Sequence, residues 1–212
     1  MSDKNGVLLA SGGLDSTTMA YWLIDQGIDF IPLFIDYGQH CAITEFETLM
    51  KVLPANYKDK VEFIDIKSIY KYSNSKFIKS ANLWDEEITA DDLYIPYRNL
   101  LMLTVGATFA QTLGYANVYS AFINSNHAKE IDCSNEFFEK MEGMLIDYGS
   151  VKINMPFRYL SKYEVAQIGL NLGAAIGSTF SCQASSAVPC GACPNCVDRL
   201  DALKKIETEQ KL

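Results

Sequence analysis

The hexapeptide Ser11-Gly12-Gly13-Leu14-Asp15-Ser16 has the residue types of a turn that grips an anion. Two glycines let the backbone bend sharply and come close to a ligand. Ser11 and Ser16 add hydroxyl donors for phosphate oxygens. A helix predicted just after the turn aims its free amides and the positive end of its dipole at the same place. Asp15 would repel a bare phosphate, so its chemistry there is to hold a Mg²⁺ that bridges phosphates. The pattern is not Gly-x-x-x-x-Gly-Lys-Ser/Thr, and that motif's lysine is missing. The competing reading is a plain Gly-Gly turn whose aspartate caps a helix.

A second cluster sits near the other end. Cys182, Cys190, Cys193 and Cys196 are spaced Cys-x₇-Cys-x₂-Cys-x₂-Cys, with Pro189, Gly191, Pro194 and Asn195 supplying tight turns. Four thiolates close a tetrahedral Zn²⁺ site with no open position, which is the structural type. Such a site would tie the C-terminal segment down. An iron–sulfur cluster accepts the same ligands, and Cys193 with Cys196 could form a redox pair. Cys41 and Cys133 stand alone and read as small packed side chains.

These residues need a frame. Val7 to Ala10 reads as a buried strand, Thr17 to Asp25 as a helix stopped at Gly27, and Phe30 to Ile35 as a second strand. A helix over Glu45 to Leu53 and a strand over Val61 to Ile66 follow. Tyr70 to Leu93 reads as a long loop with a short helical turn, a lid or a surface insertion. Next come a helix from Arg98 to Leu113, a strand from Asn117 to Phe122, and a helix opened at Ser134. A strand over Lys152 to Met155 precedes a capping box at Ser161 and Glu164, whose helix runs to Leu172. A last helix starts near Val197. Strands alternating with helices predict an α/β fold, a parallel sheet with helices on both faces. Residues 1–175 would form the phosphate-loop domain, and 176–212 a small zinc-binding segment with its helix.

Composition sets limits. Of 212 residues, 49% are hydrophobic and 21% charged, enough for one packed domain. The net charge of −8, with no basic run, argues against a large polyanionic partner. No signal core or membrane-length apolar stretch is read, so a cytoplasmic protein is expected. Six cysteines in that compartment argue against a disulfide framework.

The hexapeptide resembles the phosphate loop of the PP-loop ATP pyrophosphatases, whose sheet is of the adenine-nucleotide α-hydrolase type. That resemblance implies cleavage of ATP between its α- and β-phosphates. The blocks Phe34-Ile35-Asp36-Tyr37-Gly38-Gln39, Pro96-Tyr97-Arg98-Asn99, Asp132-Cys133 with Glu136-Phe137, and the cysteine cluster follow in order. Together they resemble the 7-cyano-7-deazaguanine synthase (QueC-like) family over nearly the whole chain.

The resemblance implies adenylation of 7-carboxy-7-deazaguanine, amide formation with ammonia, and a second activation that leaves the nitrile. It assigns Ser11, Gly12, Gly13, Leu14, Asp15 and Ser16 to the triphosphate and metal, with Asp15 and Ser16 catalytic. Asp36, Tyr37, Gly38 and Gln39 should lie near the nucleotide, Asp36 taking part in catalysis. Arg98 should neutralise phosphate or the substrate carboxylate, its competing role being a surface ion pair. Tyr97, Asn99, Asn124, Asn126 and Asp132 should contact the substrate, with Asp132 accepting from a guanine-like edge or else capping a helix. Phe34, Tyr37, Tyr94 and Tyr97 are candidates for a base-stacking platform, Phe34 reading rather as core. His40 and His127 read as solvent-facing or structurally bonded, His127 with a weaker case for acid–base work. A homodimer is implied, and with no glutaminase domain read, nitrogen would come from free ammonia or a partner.

Several positions depart from the family. Tyr97 stands where it usually has alanine, Ile123 to Ile131 replaces its Asp-Tyr-Ser-Gly-Tyr-Pro run, and only His40 remains of the basic residues after Gln39. The departures fall on the substrate side. They leave open a paralogue, of the kind found in phage-defence operons, that couples the activated deazaguanine to an amine of a protein or nucleic acid. A tRNA thiolase is disfavoured by the absence of a basic face. A regulatory module that binds ATP without turnover is the non-enzymatic alternative.

Overall fold

The computed structural model describes residues 4–79, 89–123, 131–184 and 187–210. In chain order the elements are β1 (Gly6–Leu9), α1 (Leu14–Asp25), β2 (Phe30–Asp36), α2 (Ala42–Val52), α3 (Ala55–Lys58) and β3 (Glu62–Asp65). There follow α4 (Ala90–Leu93), α5 (Arg98–Thr112), β4 (Asn117–Tyr119), α6 (Asn135–Gly149), β5 (Lys152–Asn154), α7 (Lys162–Asn171) and α8 (Pro194–Gln210).

The described strands form one sheet in the order β3-β2-β1-β4-β5, and every pairing is parallel. Val7 of β1 lies between Ile31 on one side and Val118 on the other. The chain builds outward from β1 to β3, then crosses back to place β4 on the other flank. The carboxyl ends of β1 and β4 therefore flank a point where the winding reverses, the usual ligand crevice of such sheets.

Side-chain alternation explains the layers. Leu8, Phe30 and Phe34 point to one face, where Met19 and Leu23 of α1, Val165 of α7 and Ile206 of α8 meet them. Val7, Leu33, Ile35 and Val118 point to the other, against Ala107 and Ala110 of α5. Both faces are covered, so these strands read as nearly continuous apolar runs. Phe138 and Met141 attach α6 to Leu103 of α5 and Ile153 of β5. Each such buried side chain contributes about 1.5–3 kcal/mol by area. Close approach needs small residues. A Cβ on Gly106 would lie 2.9 Å from Leu9 Cδ2, and one on Gly169 would lie 2.4 Å from Thr18 Oγ1. Thus α5 sits directly on β1, and α7 directly on α1.

The expected α/β architecture is present, with differences at element ends. α1 begins at Leu14 rather than Thr17, because its N-cap is Gly13, which has no side chain to signal a helix start. α8 begins at Pro194 rather than Val197, since proline suits a helix's first turn. β4 ends at Tyr119, short of Phe122. Of the stretch read as a long loop, residues 80–88 lie outside the described ones. A 3₁₀ turn at Lys67–Tyr70 leads into it, and its far end holds α4, opened by a capping box between Thr89 and Asp92. The box read at Ser161 and Glu164 is formed, and Ser134 caps α6 through the Phe137 amide.

The C-terminal segment joins the main body. Ala202 and Ile206 share the core with Leu8 and Phe34. The Phe180 amide donates to Gly12 O at 3.2 Å. Among the described residues, no helix is long and apolar enough to cross a membrane.

Gly12 links the first turn to α2. Its φ is +74°, and a Cβ there would lie 2.6 Å from both Glu45 O and Leu49 N, which are backbone atoms. Gly12→Ala should therefore cost about 3 kcal/mol, read as a lower urea midpoint. An unchanged midpoint would show that α2 yields easily.

Candidate active site

A cavity of about 260 Å³ opens at the carboxyl ends of β1, β2 and β4, at the winding reversal. It has two chemically different ends.

At the first end, Ser11, Gly13, Leu14, Asp15 and Ser16 line the wall. Ser11 Oγ and Ser16 Oγ are 3.2 Å apart, and Ser16 Oγ donates to Gly13 O at 3.2 Å. N-cap Gly13 provides no side-chain cap, so the first turn of α1 keeps amides for an anion. Gly12 does not line the cavity; its role is the close packing on α2 described above.

Asp15 is the centre of this end. Its Oδ2 pairs with Lys162 Nζ at 2.5 Å, both side chains being largely buried. Its Oδ1 is buried and has no hydrogen-bond partner. A carboxylate oxygen left open beside the Ser-Gly-Gly turn fits a Mg²⁺ ligand. Lys162 also lines the cavity and adds the cation that the hexapeptide lacks. It was missed in the sequence, although a signal existed. The capping box places Lys162 in the first turn of a helix, where the dipole disfavours a cation. A lysine there needs an acidic partner elsewhere.

The second end carries Tyr37, Gln39, Glu45, Phe77, Arg98 and Asn99. Tyr37 packs its ring on Phe77, centroids 5.9 Å apart. Burial raises its phenol well above the usual value, so it stays protonated. Gln39 is buried; its Oε1 accepts from the Tyr37 amide at 3.0 Å, and its Nε2 donates to Glu45 Oε2 at 2.9 Å. Arg98 places its guanidinium 5.4 Å from the Phe77 ring centre, and its Nε donates to Asn99 Oδ1 at 3.2 Å. Arg98 is therefore part of the cavity wall.

Several expected site residues have other work. Asp36 does not line the cavity: Oδ1 accepts from the Gly38 amide at 3.0 Å, and Oδ2 pairs with Lys67 at 3.1 Å. It shapes the turn that delivers Tyr37 and Gln39, and Gly38 bends that turn. Asp132 accepts from the Asn99 amide at 3.4 Å, and its carbonyl receives Asn99 Nδ2 at 3.0 Å. It thus caps the start of α5 and is not among the lining residues. Tyr97 is 73% exposed with φ of +60°, at the entry to α5. Asn124, Asn126 and His127 lie outside the described residues.

Glu45 was read only as the start of a helix, because an acid in a first turn ordinarily answers the helix dipole. Burial pushes its carboxyl up to about 7, opposed by hydrogen bonds from Gln39 and Cys41 and by the Arg98 charge. Ser181 was missed as well. It lines the cavity, and its Oγ accepts from the Leu14 amide at 3.5 Å. No local pattern in the sequence announces that contact.

The four predicted cysteines meet. One sulfur from each of Cys182, Cys190, Cys193 and Cys196 lies within 4.8 Å of the others. Tetrahedral Zn–S bonds would set them about 3.8 Å apart, so the cluster fits zinc. Backbone amides already serve the sulfurs: Cys193 N and Ala192 N donate to Cys190 Sγ at 3.2 and 3.4 Å. Thiol donors Cys193 and Cys196 lower the Cys182 value, favouring a thiolate. His40 Nε2 and Gln183 O, 3.0 Å apart, link the Tyr37–Gln39 loop to the cysteine segment.

A parallel sheet with this phosphate turn at its winding reversal defines an α/β protein of the PP-loop type. A 4-thiouridine synthetase in an RNA complex with bound ATP shares the fold, with a TM-score of 0.55 at 14% identity. That match covers 97% of this chain and 50% of the other. The family model described as queuosine biosynthesis protein QueC matches residues 5–207, and the chain belongs to that family. The 7-cyano-7-deazaguanine synthase of Thermoplasma acidophilum is 30% identical over 230 residues, covering 100% of this chain and 92% of the relative. Those of Methanospirillum hungatei and Clostridium kluyveri are each 30% identical, covering 94% and 95% of this chain and 94% of each relative.

Two outcomes follow. Zinc should co-purify with the protein, and Cys193→Ser should abolish it and lower the melting temperature, read by metal release and thermal unfolding. Full stability of a metal-free Cys193→Ser protein would count against the centre. Glu45 favours the fold when protonated. That contribution is complete below its ordinary value and is lost as pH rises through about 7. The melting temperature of Glu45→Gln relative to the parent should therefore rise from pH 5 to pH 8; a flat difference would contradict the burial.

Proposed function

We propose that the protein is an ATP-dependent enzyme that adenylates 7-carboxy-7-deazaguanine and, with ammonia, converts it through the amide to 7-cyano-7-deazaguanine. Asp15 carries the reading: one oxygen is paired with Lys162 and the other is open, at a phosphate turn inside a QueC-family fold.

The chemistry suits the cavity. A carboxylate is a poor electrophile, because its oxygens are bad leaving groups. Attack of the carboxylate on the α-phosphate expels pyrophosphate and turns one oxygen into part of AMP, a good leaving group. Mg²⁺, when bound, supplies charge neutralisation across the phosphates. Asp15 would hold it through Oδ1, and Ser11, Ser16 and the first amides of α1 would grip the oxygens around it. Lys162 adds a second positive charge and keeps Asp15 oriented. At the other end, Tyr37 and Phe77 offer flat apolar surface for a bicyclic base, and Arg98 faces its carboxylate. The zinc centre is structural. It would fix the segment that carries Ser181 and Gln183 into the cavity.

The direct experiment supplies Mg²⁺-ATP, ammonium and 7-carboxy-7-deazaguanine and follows AMP and the base. Neither AMP nor an altered base would end the proposal. Lys162→Ala should raise the KM for ATP at least about tenfold, the size expected for a charge-assisted contact to phosphate, with the base's KM little changed. A variant with an unaltered KM for ATP would remove Lys162 from the phosphate site.

A second reading keeps the adenylation and changes the acceptor to an amine on a protein or nucleic acid. Tyr97 favours it, a large exposed side chain in a left-handed conformation beside Arg98, where the family usually has alanine. A mass shift on a candidate acceptor under turnover would establish it, and an unshifted mass would exclude that acceptor.

A further inference from the structure

We propose that Glu45 is the general base of the nitrogen-transfer step, taking the proton released when an amine attacks the adenylated carboxyl carbon. The inference rests on the adenylation reading above and goes beyond it by naming the group that handles this proton.

Two acids are among the residues that line the cavity, Asp15 and Glu45. Asp15 is engaged with Lys162 at the phosphate end. Glu45 lines the same cavity from the first turn of α2. Its Oε2 is held by Gln39 Nε2, and Gln39 is itself fixed by the Tyr37 amide. The other donor to the carboxylate is the Cys41 thiol. Both donors are neutral, so the carboxylate keeps its basicity, whereas an ion pair would quench it.

The groups that face Glu45 are Asp36 from the end of β2, Cys41 at the start of α2 and Arg98 from α5. Tyr37 adds a phenol that remains protonated. Arg98 acts on Glu45 through space and favours its charged form; Asp36 opposes that. Burial is the largest influence and sets the group near neutrality. A base is most effective when its own value lies near the working pH.

The step balances. The nitrogen lone pair forms the new C–N bond, and the bond from carbonyl carbon to the bridging oxygen of AMP breaks, its electrons leaving with AMP. The proton on the attacking nitrogen passes to Glu45 and then to solvent. No further reactant is needed. The same residue could serve any neutral amine that reaches the carbon, so the assignment holds whichever acceptor the protein uses.

The test compares the parent with Glu45→Gln and Glu45→Asp, each checked for folding by thermal unfolding. Two reactions are followed: pyrophosphate exchange dependent on 7-carboxy-7-deazaguanine, and amide formation with ammonium. In Glu45→Gln, amide formation should fall about 100-fold, the scale of a lost general base, and exchange should fall much less. The acid limb of the parent's rate profile, near pH 7, should vanish. Hydroxylamine, which is unprotonated at neutral pH, should recover most of the lost turnover, and Glu45→Asp should retain part of it. The assignment is overturned if Glu45→Gln keeps its ammonium rate or its acid limb. It is equally overturned if ammonium and hydroxylamine rates fall together with a raised KM for the base, which marks Glu45 as a recognition group. Absence of exchange in the parent instead fells the adenylation reading, and this assignment with it.

Discussion

A nucleoside triphosphate of the proposed reaction would bring several negative charges to a turn that already contains a carboxylate, and the fold must resolve that repulsion. The resolution is the contact between Asp15 and Lys162, residues 147 positions apart. It requires α7 to lie almost against α1. Gly169 permits that approach, since any side chain there would strike Thr18 or Ile176. The capping box at Ser161 then fixes where α7 starts, and with it where the Lys162 amine points. A helix–helix packing detail thus decides the electrostatics of a turn contributed by another part of the chain. Within such a partly buried site the interaction is screened far less than on a surface.

The two ends of the cavity divide the work by polarity. One end offers hydroxyls, amides and a paired charge; the other offers rings, a guanidinium and a carboxylate held by neutral donors. The Tyr37–Gln39 loop builds the second end, with Asp36 and Gly38 shaping it from beneath. The cysteine centre braces this loop through His40 and Gln183. Cysteine cluster, loop and the Glu45 carboxylate are therefore mechanically connected, although no cysteine is among the described lining residues.

What could be read from the chain was what is local. The phosphate turn, the cysteine spacing, the strand–helix alternation and the Ser161 box each depend on neighbours within about ten residues. Short continuous apolar runs placed the core strands because both faces of a parallel sheet are buried. Element starts were read late where a cap had no side chain, as at Gly13. Lys162 and Ser181 were missed because their partners arrive only through tertiary packing, and Glu45 because its burial does. Asp36 and Asp132 show the converse. Each sits in a motif near the site, but one carboxylate oxygen of each accepts from a backbone amide, and the other oxygen of Asp36 pairs with Lys67.

The hydrogen bond from Phe180 to Gly12 and the contact of Ser181 with Leu14 also govern timing. During synthesis the turn after β1 emerges well before two of its supports, which lie some 167 positions later. A nascent chain would therefore expose an unfinished turn until its tail left the ribosome and closed over it. The turn is therefore completed only after the strands and helices that lie between have been made.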